Sequence, residues 1–410
     1  MALAPAWWRG VDADARRALL AASLGWMLDS FDVMLYALLV ATLIRDLGMT
    51  AATGGLLASL TLVASAAGGI LFGIIADRYG RTRALIWSVL IYSVFTAACG
   101  FAQSVAQLAV FRLFLGLGMG GEWASGAALV SETWPAEHRG KALGLMQSAW
   151  AIGYGLAVIV TAFVLPRWGW RAVFFVGIAP AFVTLWIRRH VREPRVWQQA
   201  RAASTSPRAA VAAIFRPPLR TLTVWVTFMN ACTMFAWWGF NSWVPAYLEL
   251  PVDQGGVGLG LEYRTRILVI MQAGMWVGYV TFGFISDHVG RKRAYVGYLV
   301  AASALLVAYA STSRPGVLLA LGPALAFSAT GYFSGFGAVT AELYRTAIRA
   351  TAQGLTYNIG RIASAAAPFL IGSLAETRGF RAGFLLAAAA FACAAASWTF
   401  IPETKGRALE

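Results

Sequence analysis

Gly73-Ile74-Ile75-Ala76-Asp77-Arg78-Tyr79-Gly80-Arg81-Thr82-Arg83 closes one apolar run and turns into the next. Its glycines permit close helix contact and a tight turn, and its acid and arginines can pair across helix ends. The pattern returns as Gly283, Asp287, Gly290, Arg291 and Arg293, each 210 positions after its counterpart (73 to 283). At the same offset Glu132 and Arg139 return as Glu342 and Arg349. Spaced features repeating at one offset predict two homologous halves. Parallel repeats of this kind place a binding site at their interface, near the middle of a bilayer.

Composition sets the solvent. Of 410 residues 59% are hydrophobic and only 12% are charged, with mean hydropathy +0.65. A soluble domain carries about 25% charged residues, so this is a polytopic membrane chain. No room is left for a soluble catalytic domain. The net charge of +15 lies at the ends of apolar runs, where membrane orientation explains it better than nucleic acid. Cys99, Cys232 and Cys393 all fall in apolar runs and read as packing residues, not as a disulfide or metal set.

The expected fold is all-α: twelve transmembrane helices in two pseudo-symmetric six-helix bundles. The spans read as 18–44, 53–76, 84–102, 106–131, 141–165 and 170–188, then 219–247, 266–286, 294–312, 316–341, 352–375 and 382–401. Residues 1–188 form the N-terminal bundle, 189–218 a basic linker, and 219–410 the C-terminal bundle with a short tail. Residues 1–17 read as an amphipathic lead, followed by a retained first helix, not a cleaved signal. The connections at 78–83, 138–141, 189–216, 288–293 and 345–349 are rich in arginine and lysine, and the opposite ones are poorer. Both termini are therefore expected in the cytoplasm.

The first span holds two acids in an apolar run from about Leu19 to Ile44. A charge at bilayer depth costs at least ~2.5–3.5 kcal/mol, so it faces a partner or a watery cavity. Asp29 and Asp32 share a helix face, which Tyr36 extends by a turn. Two such carboxylates repel, and a carboxyl poised between neutral and charged near pH 7 is a proton carrier. His138, His190 and His288 all lie near the expected cytoplasmic ends, so proton coupling must run through carboxylates. Glu122 is ten residues beyond Arg112, ~15 Å of helix. It is either a second proton site or a structural acid. No phosphate-cradling loop of the Walker type appears, so no nucleotide or other cofactor is expected, and a proton gradient is the energy source.

Arg361 sits near the middle of the eleventh span. A midplane arginine is costly unless an anion meets it, and a guanidinium holds a carboxylate by two parallel hydrogen bonds. Its repeat counterpart is Ala151, so the charge is not part of the symmetric scaffold. Tyr357 and Asn358 lie a turn earlier. Further cavity candidates are Tyr36, Gln147, Tyr154, Trp237, Asn241 and Gln272, with Trp150 and Trp276.

The paired motif at 73–83 and 283–293 strongly resembles the major facilitator superfamily, over essentially the whole chain. In that superfamily the motif helps latch the cytoplasmic side of the outward-facing state. The resemblance implies gating roles for Asp77, Arg81, Glu132, Arg139, Asp287, Arg291, Glu342 and Arg349. The stretch Arg112 to Trp123 ending at Glu132, then Arg192-Glu193-Pro194, then Pro402-Glu403-Thr404-Lys405-Gly406, is similar to sugar and organic-acid proton symporters. In sugar porters a helix-one aspartate pairs with the arginine opening the helix-four motif, positions that match Asp32 and Arg112. The Asp29-x-x-Asp32 pattern resembles instead the aromatic-acid, sialate and monocarboxylate proton symporters. The paired glutamines that sugar porters carry in helix seven are absent.

These readings predict a transporter, not an enzyme, that imports a small organic carboxylate with protons by alternating access. Asp29, Asp32, Arg112 and Glu122 would serve proton coupling, and Arg361 would hold the substrate carboxylate. The expected partners are a small organic anion, protons and lipid, with no nucleic acid, no metal and a monomeric state. The alternatives are a proton-coupled sugar or polyol symporter and an organic-anion exporter.

Overall fold

Two kinds of local signal cut the apolar chain into helices: hydroxyl caps and glycines that only a positive φ suits. The structure is a computed structural model that describes residues 11–135, 138–193, 212–217 and 219–405. Helices α1 (Ala13–Leu47), α2 (Ala51–Tyr79), α3 (Arg81–Cys99), α4 (Val105–Thr133), α5 (Arg139–Val176) and α6 (Ala179–His190) come first. They are followed by α7 (Leu219–Glu249), α8 (Leu261–Val289), α9 (Arg291–Ala310), α10 (Pro315–Thr330) and, after a 3-10 stretch at Gly331–Gly335, α11 (Phe336–Leu343). Helices α12 (Thr346–Ser364), α13 (Ala366–Arg378) and α14 (Phe380–Ser397) complete the chain.

Thr50 and Ser104 accept the backbone N–H of Thr53 and Gln107 and so start α2 and α4. Gly80 (φ 118°) and Gly290 (φ 104°) make the abrupt α2–α3 and α8–α9 turns, in backbone conformations that favour glycine. The Glu193 carboxylate accepts the N–H groups of Thr82 and Arg83 at 3.1 and 3.2 Å. Glu403 does the same for Arg291 and Lys292 at 2.8 and 3.2 Å. The two stretches that resemble symporter motifs are thus N-terminal caps for α3 and α9, again 210 positions apart (193 to 403).

Nine stretches of the described residues are long and apolar enough to cross a membrane. One of them, Gly140–His190, holds two crossings, because Gly169 at φ 74° breaks the helix beyond Pro166. Helix α7 and the pair α12–α13 fall short of that criterion. They carry Asn230, Thr233 and Asn241, and Thr356, Asn358 and Arg361. With them the bundle has the expected twelve helices. Three expected spans are interrupted, 170–188 at residues 177–178 and two more in the second half. The span at 316–341 contains the 3-10 turn, and the span at 352–375 breaks at Ala365, where Pro368 offers no N–H to Ser364. Most of the expected linker, residues 1–10 and the end of the tail lie outside the described residues.

Small residues set the helix contacts. A Cβ on Gly68 or Gly120 would meet backbone oxygen of Leu117 or Ser65 at 2.1 or 1.9 Å, so α2 and α4 touch main chain to main chain. Gly274 and Gly278 play the same part between α8 and α10.

Between described residues, the hydrogen bonds joining α1–α6 to α7–α14 all lie at the end remote from the arginine-rich turns. Ala52 N–H donates to Glu376 at 2.6 Å, Phe369 N–H donates to Ser59 at 3.2 Å, and Arg45 pairs with Glu249 at 3.1 Å. A Cβ on Gly55 would sit 2.3 Å from the Pro368 carbonyl oxygen. That end is closed by backbone contact of α2 with α13.

Candidate functional site

A cavity of about 30 Å³, room for about one or two waters in this arrangement, lies between the two groups of helices. Its walls are aromatic. Trp26 (α1) lies 4.6 Å from Trp150 (α5), centroid to centroid, and Trp150 lies 5.6 and 6.0 Å from Trp237 and Trp238 (α7). Phe333, Tyr279, Tyr357, Met234 and Gln147 complete the lining.

Arg361 projects into this cavity from α12. It is only 4% exposed, yet its guanidinium makes no hydrogen bond or ion pair with any described residue. A buried guanidinium with no direct hydrogen bond or ion pair is costly, and a bound anion would offset that cost. The indole N–H groups of Trp26, Trp150 and Trp237 are also buried without an acceptor among the described residues. The lining therefore offers unused donors in an otherwise apolar chamber.

Three acids lie on α1 and α4, outside the cavity lining. Asp29, Asp32 and Glu122 are buried. Neither oxygen of Asp32 or of Glu122, nor Oδ2 of Asp29, has a hydrogen-bond partner among the described residues. Glu122 lies against Gly25, where a Cβ would meet its Oε1 at 2.5 Å, one turn before Asp29. Arg361 is within electrostatic reach of both Asp29 and Glu122. The Tyr92 hydroxyl, 3.4 Å from the Gly25 carbonyl, is within reach of all three acids.

The expected pair of Asp32 with Arg112 does not form here. The Arg112 guanidinium lies 3.6 Å over the Tyr36 ring, and its Nε donates to the Leu57 carbonyl at 3.3 Å. A ring face and a helix carbonyl outcompete the carboxylate one turn away.

Several expected contact residues are committed elsewhere. Asn358 and Asn241 donate to the carbonyls of Gly354 and Trp237 on their own helices, and Tyr36 donates to Gly54. Of the remaining candidates, Gln147, Trp150, Trp237 and Tyr357 line the cavity, while Tyr154 and Gln272 are buried outside its lining and Trp276 is 41% exposed. Trp26, Met234, Tyr279 and Phe333 belong to the site and were not expected there, and Trp238 of the seventh span joins them. Trp26 precedes Asp29 by three and Met234 precedes Trp238 by four, so helical spacing carried a signal for these. Phe333 sits in a 3-10 turn, where no such spacing applies.

On the arginine-rich side the cavity ends in one stacked pair, Trp123 (α4) and Tyr357 (α12), with centroids 4.4 Å apart and planes 4° from parallel. Trp123 also donates to Gln147 at 3.3 Å. Beyond it, among the described residues, Arg81 pairs with Glu132 at 2.9 Å, and Arg291 pairs with Glu342 at 3.0 Å and with Asp287. Thr404 donates to Glu342 at 2.5 Å. The expected Asp77, Arg139 and Arg349 side chains lie outside the described residues.

The Major Facilitator Superfamily model matches residues 22–259 and 252–410. The chain belongs to the Major Facilitator Superfamily. It is a multi-pass membrane transporter and not an enzyme. It is 35% identical over 415 residues to a probable 4-methylmuconolactone transporter of Cupriavidus pinatubonensis, covering 99% of this chain and 94% of that one. It is 31% identical over 393 residues to a cis,cis-muconate transport protein of Acinetobacter baylyi, covering 94% of each. A crystal structure of a D-xylose-proton symporter superposes with TM-score 0.77 at 19% identity, over 97% of this chain and all of that one (100%). That likeness establishes the fold.

Proposed function

We propose that this superfamily member imports a small organic carboxylate together with protons, by alternating access. The observation that carries the reading is Arg361: a buried guanidinium in an aromatic chamber between the helix groups, without a direct hydrogen bond or ion pair to any described residue. A sugar offers it no countercharge; a carboxylate does. The relative that transports cis,cis-muconate handles a molecule bearing two carboxylates, which supports the class.

The arginine-rich end faces the cytoplasm, with both termini there. Residues 1–188 and 219–410 rock as two bodies about the cavity, tethered by the basic linker at 189–218. The arrangement described is closed to the outside, with the Trp123–Tyr357 stack beneath the cavity. Asp29, Asp32 and Glu122 take protons when the cavity opens outward. Neutralising them removes their claim on Arg361, which is then free to hold the substrate carboxylate. Release to the cytoplasm follows when the stack parts and the acids lose their protons. The gating clusters around Arg81 and Arg291 rearrange between these states. The transporter works as a monomer and needs no cofactor beyond the proton gradient.

The test is uptake into proteoliposomes of radiolabelled lactate, benzoate, cis,cis-muconate, sialic acid and xylose, with and without an inward proton gradient. Gradient-driven accumulation of an acid and not of xylose is expected. Accumulation of xylose alone overturns the reading.

A further inference from the structure

A second cavity, of about 20 Å³, lies nearer the closed outer end, and Trp238 lines it as well as the central one. Its walls come from both bodies: Tyr36, Thr61 and Arg112 from the first, Trp238 and Ser242 from the second. Arg112 is 2% exposed, and its terminal Nη1 is buried with no acceptor among the described residues. Of five guanidinium donors, the described residues occupy only Nε, with the Leu57 carbonyl. Across the cavity the Ser242 hydroxyl makes no hydrogen bond with a described residue. Arg112 lies ~10 Å inside the outer end of α4, seven residues past Val105, whereas Arg361 is near the bilayer middle.

We propose that Arg112, with Ser242, forms an outer carboxylate station that receives the substrate before it passes Trp238 to Arg361. The proposal rests on the organic-acid reading and adds a second site to it. Three features carry it. The Arg112 guanidinium is buried against the Tyr36 ring and the Leu57 carbonyl with no anion paired to it, Asp32 included, so a bound carboxylate would supply the missing countercharge. The free donors face each other across the boundary between the rocking bodies, so outward opening separates Trp238 and Ser242 from Arg112 and exposes the station to the outside. The shared Trp238 wall makes the two sites consecutive, each offering the fork that a carboxylate fits.

The competing role for Arg112 is counter-ion to Asp32 in another state, and a charge-neutral double variant separates the two. The experiment uses the full chain in proteoliposomes, with cis,cis-muconate and benzoate as probes. It measures exchange of external for internal acid, which needs no net proton movement. Arg112→Gln should raise the external KM about 30-fold while saturating rates stay near wild type. Arg112→Lys should fall between, and Arg112→Gln combined with Asp32→Asn should be no better than Arg112→Gln. Ser242→Ala, which disturbs no charge, should raise the same KM several-fold and serves where Arg112→Gln fails to fold. An unchanged KM in Arg112→Gln, a KM restored in the double variant, or no effect of Ser242→Ala where Arg112→Gln does not fold, overturns the station. A wild type that exchanges neither acid overturns the organic-acid reading and the station with it, a result distinct from the other three.

Discussion

Gly55→Ala tests whether the contact of α2 with α13 is what closes the outside. The new methyl would lie 2.3 Å from the Pro368 carbonyl oxygen and 2.9 Å from Phe369 Cα. Backbone cannot swing aside as a side chain can, so the helices must part by about 1 Å. The Phe369–Ser59 hydrogen bond, 3.2 Å long, would then break, and the Ala52–Glu376 bond, 2.6 Å, would stretch. Overpacking costs about 1–3 kcal/mol and the lost bond about 0.5–1.5 kcal/mol. The outer-closed state is therefore disfavoured by about 2–4 kcal/mol, a shift of roughly 30- to 1,000-fold in population. In an outward-open state the two helices are apart and the methyl costs nothing. The assay is labelling of Ala58→Cys, which lines the outer cavity, by a membrane-impermeant maleimide added outside, with Cys99, Cys232 and Cys393 replaced by serine. Gly55→Ala should speed labelling at least ~10-fold if the resting protein is mostly outer-closed. An unchanged rate refutes the idea that this contact is the outer seal.

Three further outcomes are expected. Asp32→Asn should abolish gradient-driven accumulation yet leave exchange of internal for external acid, and accumulation at the wild-type level would remove Asp32 from the coupling. Trp123→Ala should break the stack with Tyr357, so cytoplasmic-side maleimide should label Gln147→Cys about 10-fold or more faster; equal rates would show that the stack is no barrier. Glu403 is exposed; what desolvation it has works to raise its pKa, but the N–H groups of Lys405, Arg291, Lys292 and Thr404 outweigh that and hold it below the ordinary glutamate range. A depressed folded-state pKa contributes stability that is present above the unfolded value and is lost as pH falls through the folded one. Glu403→Gln should therefore lower the melting temperature at pH 7, and the gap from wild type should close in acid; a gap independent of pH would mean that the cap acts without its charge.

Legibility in the sequence followed cost. Arg361, Asp29, Asp32 and Glu122 stood out because a charge in an apolar run is expensive; the structure puts Arg361 in the central cavity, with Asp29 and Glu122 within its electrostatic reach. Most of the twelve crossings were legible from hydropathy, but α7 and the α12–α13 pair, diluted by polar residues, fall short on that signal alone, and single residues such as Pro368 break others. Rotamer choice was not legible: whether Arg112 meets Asp32 or the Tyr36 ring depends on a carbonyl of α2 that no local pattern announces. Asn358 and Asn241 faced the right way by spacing, but spacing does not show that an asparagine amide has turned back onto its own helix. The caps at Glu193 and Glu403 share the repeat offset of Asp77 and Asp287, yet their role needed the chain to fold back on α3 and α9. Phe333 entered the cavity by a 3-10 turn that helical periodicity does not describe.

The central claim is that Arg361 holds the carboxylate of the substrate. The most direct measurement is binding of cis,cis-muconate and benzoate per folded molecule of purified Arg361→Ala and Arg361→Lys, with thermal stability alongside. Loss of a charge-assisted, bidentate contact in a desolvated site should cost on the order of 2–5 kcal/mol, roughly 30-fold to several thousand-fold in affinity. Lysine, lacking the planar fork, should rescue little of it. Folded protein of both variants that binds these acids as tightly as wild type would contradict the claim, and with it the assignment of an acid as the transported substrate.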